Sequence, residues 1–448
     1  MKKLLAILLV LILAMSVFGC TQAAPAEEPA AQEEATATEA AAEATEAPAA
    51  EKTVIKIGVL APLSGAVASQ GAEMKAGVTA ALEYFNANVG FKNLENVEVE
   101  VVFADSESSP DVGVSEFEKL VTVDKVIAVL GSYQSSVTSP CATLATKYHV
   151  PYVTINAVAD TVLSQDANYV FRPHLGDSAE QYQHLDMMKA LSAVSPIKKM
   201  AFVGSADDYG NSCLDMYTWI AGEIGAEMVV SEQVQSGVAD MSGAVQKIKA
   251  ADVDLVIATL QVNEALLFQK QLKEYGVSVP VFAKGGGYLD ATFIPSVGDA
   301  ADGVLSSAQW LPDSLNFLPE EATTWANRMQ EISGVPANEC ACNGWLALGI
   351  VLDCMDTAKA TDSETLAAAI DKLDMGPDHW ANMFFRHPEI KFEDGAKRDG
   401  TPIYNQNWNA KLQFGQLQDG VYKLVYPFTL AGEIGSDTNP LIWPYVQQ

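Results

Sequence analysis

Val54-Ile55-Lys56-Ile57-Gly58-Val59-Leu60 is a β-branched, apolar run that reads as a strand. Ala61–Gly71 follows as a loop of Pro, Gly and Ser. Glu73–Asn88 then sets Met74, Ala76, Val78, Ala81, Leu82 and Phe85 at helical spacing. The alternation continues. Val97–Phe103 reads as a strand, Asp111–Val121 as a helix with Asp111 as N-cap, and Val126–Leu130 as a strand. Ser139–Tyr148 reads as a helix and Pro151–Ile155 as a strand. Strands alternating with helices at this spacing predict an α/β fold with a parallel sheet, because each parallel connection needs a crossover that covers a face.

The pattern restarts at Lys199–Val203, a strand, followed by a helix at Gly210–Ile224 and a strand at Glu227–Glu232. Ser242–Ala250 and Glu264–Tyr275 read as helices, Leu255–Thr259 and Val281–Ala283 as strands. Helical stretches at Ala337–Ala360 and Ser363–Leu373 come next. Strand-like pieces then stand around Ile390–Phe392, Trp408–Phe414 and Tyr422–Tyr426. Neither half closes with its own segments, so the chain is expected to cross back between two doubly wound lobes. The expected division is 53–172 plus 306–412 for one lobe and 173–305 plus 413–448 for the other. Such lobes enclose a cleft at the carboxyl ends of their strands, where ligands of open parallel sheets sit. No short-period repeat supports a solenoid.

Composition narrows the partners. The 448 residues carry a net charge of −30, which argues against nucleic acid. After the N-terminal run there is no apolar stretch long enough to span a membrane. Met1–Lys3 is basic, Leu4–Phe18 is apolar, and Gly19 precedes Cys20. This pattern resembles a bacterial lipoprotein signal, which implies cleavage after residue 19 and a lipid on the Cys20 sulfur. The apolar run is shorter than the ~20 residues of a transmembrane helix. Residues 20–52, rich in Ala, Glu, Thr and Pro without an aromatic, read as a solvated tether. The remaining cysteines, Cys141, Cys213, Cys340, Cys342 and Cys354, are odd in number and show no disulfide framework. Buried free thiols are the expectation, with a partner for Cys354 left open. No metal-ligand spacing is present, and no metal or cofactor is expected.

The strongest local feature is Ile127 to Ser136. A strand runs into Gly131, and Ser132, Tyr133, Gln134, Ser135 and Ser136 crowd the turn before a helix. Free N–H groups at a helix start, with serine hydroxyls, suit a carboxylate. N-capping by Ser135 or Ser139 accounts for the same residues, and both readings stand here. Other strand ends aim at the same cleft: Asn156, Ala157 and Val158 after Thr154-Ile155, Asp207, Asp208 and Tyr209 after Val203, and Gln261 after Thr259. Catalysis finds little support, with no nucleophile elbow and no phosphate loop. The one enzymatic reading is a hydrolase using His174 with Asp207 or Asp208.

Ile55-Lys56-Ile57-Gly58-Val59-Leu60-Ala61-Pro62-Leu63-Ser64-Gly65, with Gly71 and Ala76-Gly77-Val78, resembles the opening of type I periplasmic solute-binding proteins. More narrowly it is similar to the branched-chain amino-acid (Leu/Ile/Val) receptors of ABC importers. The likeness continues through Val129-Leu130-Gly131-Ser132, Val150-Pro151-Tyr152-Val153, Tyr169-Val170-Phe171-Arg172 and Asp208-Tyr209-Gly210. It implies two doubly wound parallel-sheet lobes joined by a three-crossover hinge that closes on a small ligand. It also implies that Ser135, beside Ser136, Gln134 and Tyr133, holds a ligand carboxylate, that Asn156, Ala157 and Val158 follow, and that Tyr209 contacts from the second lobe. Three positions depart from the pattern. Gln70 and Gln261 stand where aromatics are usual, and Gly286 stands near the acidic residue that meets a ligand ammonium. Asp290 or Asp207 is a candidate replacement; otherwise the ligand lacks the ammonium, since an uncompensated one in a closed cleft is costly.

The expected function is a lipid-anchored, extracytoplasmic, monomeric receptor. It would bind an amino acid or a related carboxylate or amide, without turnover, and hand it to ABC permease subunits. The alternative outside transport is a sensory module with the same cleft.

Overall fold

The computed structural model describes residues 52–163, 167–426 and 442–443. The signal, the Cys20 lipidation site and all of the tether except Lys52 lie outside the described residues.

The chain begins with β1 (Thr53–Ala61), α1 (Ala68–Tyr84), β2 (Val97–Asp105), α2 (Pro110–Thr122), β3 (Ala128–Gly131), α3 (Ser135–Tyr148), β4 (Tyr152–Val153) and β5 (Val170–Phe171). These strands form a five-stranded parallel sheet in the order β2-β1-β3-β4-β5. The next elements are α4 (Asp177–Val194), β6 (Lys199–Ser205), α5 (Asp208–Glu223), β7 (Glu227–Val234), α6 (Ser242–Ala251) and β8 (Leu255–Thr259). They continue into α7 (Val262–Glu274), β9 (Val281–Lys284), α8 (Phe293–Val297) and β10 (Leu305–Ala308). The chain then adds α9 (Glu320–Ser333), α10 (Glu339–Ala358), α11 (Ser363–Ile370), the hairpin β11 (Glu393–Ala396) and β12 (Pro402–Gln406), and finally β13 (Gln413–Gln418) and β14 (Val421–Tyr426). The second sheet runs β14-β13-β10-β9-β8-β6-β7. It is parallel from β10 to β7, with β13 antiparallel to β10 and β14 antiparallel to β13.

Alternation of side chains explains why both sheets are buried on both faces. Ile57 and Val59 face one core with Ala128 and Leu130, while Leu60 and Val129 face the opposite one. In the second sheet Ala201, Val203, Val256 and Ala258 face one core, and Met200, Phe202, Leu255 and Ile257 the other. Strands with apolar residues on both sides suit a parallel sheet enclosed by crossover helices. The first lobe is completed by the returning chain, because α10 packs on α1. Their approach is close: a Cβ at Gly77 would lie 1.8 Å from the Ala341 carbonyl oxygen.

Two topological switch points fix the site. In the first sheet β1 separates β2 from β3, and in the second β6 separates β7 from β8. Loops leaving adjacent strands at such a point diverge and open a crevice. The lobes are joined where the chain leaves β5, leaves β10 and runs from β12 to β13, so the connection has three strands. These are knitted together: Asn407 N–H donates to the Arg172 carbonyl at 3.0 Å, Leu175 N–H to Gln309 Oε1 at 3.1 Å, and Gln406 Nε2 to the His174 carbonyl at 2.7 Å.

Several elements differ from expectation. The first helix starts at Ala68 rather than Glu73 and ends in a π-turn at Phe85–Val89. Helices α4 and α9 have no counterpart in the sequence reading. Ile390 makes only an isolated bridge to Met375, and the piece expected from Trp408 becomes a strand at Gln413. Ser306–Ala308 belongs to β10 of the second sheet, beyond the division drawn at residue 306. Cys141, Cys213, Cys340, Cys342 and Cys354 are buried and free. Among the described residues no helix is long and apolar enough to cross a membrane.

Candidate ligand-binding site

The turn after β3 comes first. Gly131 has φ of +121°, and a Cβ there would lie 2.1 Å from the Leu60 carbonyl oxygen, so only glycine lets β3 end this close to β1. The chain then enters α3 with Gln134 as N-cap, and no side chain caps the helix. Ser139 Oγ instead bonds Thr161 Oγ1 at 2.9 Å, and Ser135 Oγ accepts from the buried Ala159 N–H at 3.2 Å. The capping explanation of these serines therefore does not hold. With its acceptor role filled, the Ser135 hydroxyl retains its proton to donate to a ligand.

A cavity of about 50 Å³ lies between the lobes, measured to the centre of a water-sized sphere. Its first-lobe wall is Tyr133, Gln134, Ser135, Asn156 and Val158. Its second-lobe wall includes Glu180, Tyr209, Gln261, Lys284 and Gly286. The end of β10 adds Ser307, the connecting segments add Gln309 and Leu412, and the first turn of α10 adds Glu339. Sequence reading thus names Tyr133, Gln134, Ser135, Asn156, Val158, Tyr209, Gln261 and Gly286 among residues that share one cleft.

Four other candidates stand elsewhere. Ser136 lies one residue into α3 and is not in the cavity wall. Ala157 is buried, and its carbonyl accepts from Arg172 Nη1 at 3.3 Å. Asp207 caps α5 by accepting from Gly210 N–H at 2.9 Å. Gln70, at the start of α1, donates through Nε2 to Asp290 Oδ2 at 2.9 Å, and Ser69 Oγ donates to the same oxygen at 2.6 Å. Asp290 follows β9, so this contact joins the lobes across the gap. Neither Asp207 nor Asp290 supplies a carboxylate to the cavity wall.

Sequence reasoning missed the charged residues. Lys284, at the end of β9, is 4 % exposed; its Nζ lies 2.8 Å from Asp177 Oδ1 and 2.6 Å from Glu180 Oε1 of α4. It also stands 5.2 Å from the Tyr209 ring centroid, and the Tyr209 hydroxyl donates to its carbonyl. Burial pulls the Lys284 ammonium down, but Asp177 leads a set of neighbours, including Glu180 and Tyr209, that holds it well above the ordinary lysine range. Glu339 Oε2 accepts from the Gln309 N–H at 2.9 Å. Burial lifts its carboxyl to about 7. No sequence signal marked these residues, because an isolated Lys or Glu is ordinary until the fold turns it inward.

His174 is a hinge residue. Its Nδ1 bonds the Leu175 carbonyl at 3.0 Å, so Nε2 accepts from Thr154 Oγ1 at 3.0 Å. Burial depresses its pKa to about 3, and it stays neutral. Asp208 lines a separate cavity near Asp215 and Arg398. The grouping that a His174 hydrolase would need is not assembled. Among the described residues no cluster of three or more His, Cys, Asp or Glu side chains is placed to hold a metal.

If the Asp290 contact favours closure, Asp290→Ala is expected to increase the radius of gyration of the unliganded protein in small-angle scattering and to weaken solute binding about tenfold. An unchanged profile and affinity would show that the contact does not bias the lobes.

A periplasmic binding protein family model matches residues 54–403. Leu/Ile/Val-binding protein homolog 7 of Brucella abortus is 25% identical over 381 residues, covering 83% of this chain and 91% of the relative. The leucine-binding protein LivK of Thermotoga maritima superposes with a TM-score of 0.67 at 20% identity, covering 83% of this chain and 97% of that one. LivJ of Streptococcus pneumoniae in complex with isoleucine gives 0.66 at 19%, covering 83% and 98%. A solute-binding protein from R. palustris in complex with benzoate gives 0.67 at 18%, covering 83% and 96%. The paired sheets, the three-stranded connection and the solved structures agree on a type I periplasmic binding protein fold, and the family match over residues 54–403 shows that the chain belongs to the periplasmic binding protein family.

Proposed function

We propose that this protein is the lipid-anchored, extracytoplasmic receptor of an ABC importer. It captures a small carboxylate-bearing solute between its lobes and presents the closed form to permease subunits. The observation that carries this reading is the cleft itself, where the uncapped start of α3 with Ser135 faces Tyr209, Gln261 and Gly286 of the other lobe. Ligand contacts on both walls favour closure by their differential affinity for the closed state. The small, polar cavity suits an amino acid or a short organic acid or amide. The relatives' reported leucine, isoleucine and benzoate ligands belong to the same chemical range. Lipid on Cys20 and the acidic tether would keep the receptor at the membrane while letting it reach its partner.

A thermal-shift screen across amino acids, organic acids, amides and urea tests the reading, because a bound solute raises the melting temperature by mass action. Binding should be accompanied by a more compact scattering profile. A screen without a single shift would remove the receptor function. Ser135→Ala is expected to weaken carboxylate binding by about tenfold or more, the value of a hydrogen bond to a charged group. The same change strips the Ala159 N–H of its acceptor and should cost about 1–2 kcal/mol of unliganded stability. Titration calorimetry and chemical denaturation read the two effects separately; full affinity would put Ser135 outside the carboxylate site.

A further inference from the structure

The acidic residue expected near Gly286 is absent, yet the cleft is not without a carboxylate. Glu339 opens α10, and its position is fixed by Asn338, whose side chain accepts from Cys340 N–H and Ala341 N–H to cap the helix. Its Oε1 lies 3.5 Å from where a Cβ on Gly285 would stand, so it reaches across to the second lobe. It is partly accessible from the cavity, and among the described residues it forms no ion pair. Of the other acidic groups nearby, Glu73 is buried outside the cavity wall with its carboxyl lifted to about 8, and the rest are engaged. Glu180 and Asp177 pair with Lys284, and Asp290 takes Ser69 and Gln70.

We propose that Glu339 is the counter-charge for a cationic group on the ligand, so that the solute is a small zwitterion bearing an amine as well as a carboxylate. This rests on the receptor reading above and makes it narrower. A plain carboxylic acid would leave Glu339 facing an anion in a confined cleft. An ammonium would satisfy Glu339 at one end while the start of α3 and Ser135 take the carboxylate at the other. The charge is supplied from the returning helix of the first lobe, not from the second-lobe loop that the family resemblance indicates.

A proton is linked to this contact. With the unliganded carboxyl lifted to about 7, Glu339 is largely neutral below that pH, and a bound ammonium favours the ionised form. Binding therefore releases close to one proton near pH 6, and affinity falls about tenfold per unit as pH drops below 7. The charged and titratable groups around Glu339 are Glu180 and Lys284 from the second lobe, Asp177 paired with that lysine, and Glu73, Cys340, Tyr133 and Asp290 on its other sides. Glu73, raised to about 8 chiefly by burial, stays protonated through the tested range.

The test is titration calorimetry on the folded protein with L-alanine against propionate, L-leucine against 4-methylpentanoate, and benzoate, acetamide and urea alone. The proton count comes from buffers of different ionisation enthalpy. At least one amino acid should bind about 100-fold tighter than its des-amino partner, with proton release below neutral pH. Glu339→Gln, which keeps an acceptor for the Gln309 N–H, should lose about 30-fold or more for the amino acid. It should leave the des-amino acid as tight or tighter, and abolish the proton release. Glu73→Gln should keep the pH slope. Equal binding of a des-amino acid, preferred binding of benzoate, acetamide or urea, or an undiminished amine preference in Glu339→Gln overturns the proposal and leaves the receptor reading intact. No binding by any of these solutes, together with a silent thermal-shift screen, overturns both.

Discussion

Lys284→Met should destabilise the protein by about 3–5 kcal/mol near neutral pH, the cost of removing one partner from a buried charge cluster. The methionine fills much of the lysine's volume, so the loss is mainly electrostatic. Asp177 and Glu180 would remain on α4, each 3 % exposed at the side chain, with no cation beside them. The pH dependence has a definite sign. In the native protein the Lys284 pKa is raised, so its contribution is present at and below the ordinary lysine range and is lost only as pH rises through the folded value. Lys284 opposes the burial that already raises the Asp177 carboxyl, so without the ammonium that carboxyl rises further and protonation relieves it. The deficit of Lys284→Met should therefore shrink as pH falls toward the ordinary carboxylate range. Urea denaturation across pH checks this, and adding Asp177→Asn and Glu180→Gln should recover a large part of the loss at neutral pH. A deficit that does not change with pH would mean that packing, not charge, explains the lysine.

Arg172→Met should cost a similar amount, about 3 kcal/mol or more, and should damage solute binding as well. Arg172 directly follows β5, the last strand of the first sheet, and is fully buried. Its Nε donates to Gln406 Oε1 at 2.6 Å, and Nη1 donates to the Val158 and Ala159 carbonyls at 2.9 and 3.0 Å. Nη2 lies 3.6 Å from Asp160 Oδ1. The guanidinium thus holds the Asn156–Asp160 turn against the third connection between the lobes. Without it several buried acceptors lose their donor, at about 1–3 kcal/mol each where water cannot replace it. Because Asn156 and Val158 line the cleft, the turn's relaxation should reduce affinity as well as stability. Denaturation and calorimetry on the same variant test both effects; a variant with native stability would show that the turn is held by other contacts.

The fold was legible wherever the strands and helices carried an ordinary periodic pattern. Val54–Leu60 and Leu255–Thr259 became β1 and β8, interior strands with buried apolar side chains on both faces. Helix α4 was not legible, for a reason that bears on the site. Its inward face carries Asp177, Glu180, Gln181 and His184, all buried, so the polar residues do not mark the solvent side. Helix α9 escaped for a different reason: its buried face is made of Ala322, Ala326 and Met329, a weak apolar stripe on an otherwise polar segment.

By itself the sequence determined the class of the protein. Alternating strand and helix signals twice over, with helical and strand-like pieces left at the end, leave few chain paths other than two lobes exchanging segments. A serine-rich turn after Gly131 marked one wall of the cleft through its local chemistry. Only tertiary structure decided which charges meet there. Lys284, Asp177 and Glu180 are separated by up to 107 residues, and Glu339 reaches the cleft from a helix that returns after the second lobe. Burial is a property of the folded neighbourhood and not of the residue. Folding sets Asp177 and Glu180 beside a buried lysine and so fixes it as a cation against the pull of burial, while burial itself turns an ordinary glutamate into a carboxyl lifted to about 7.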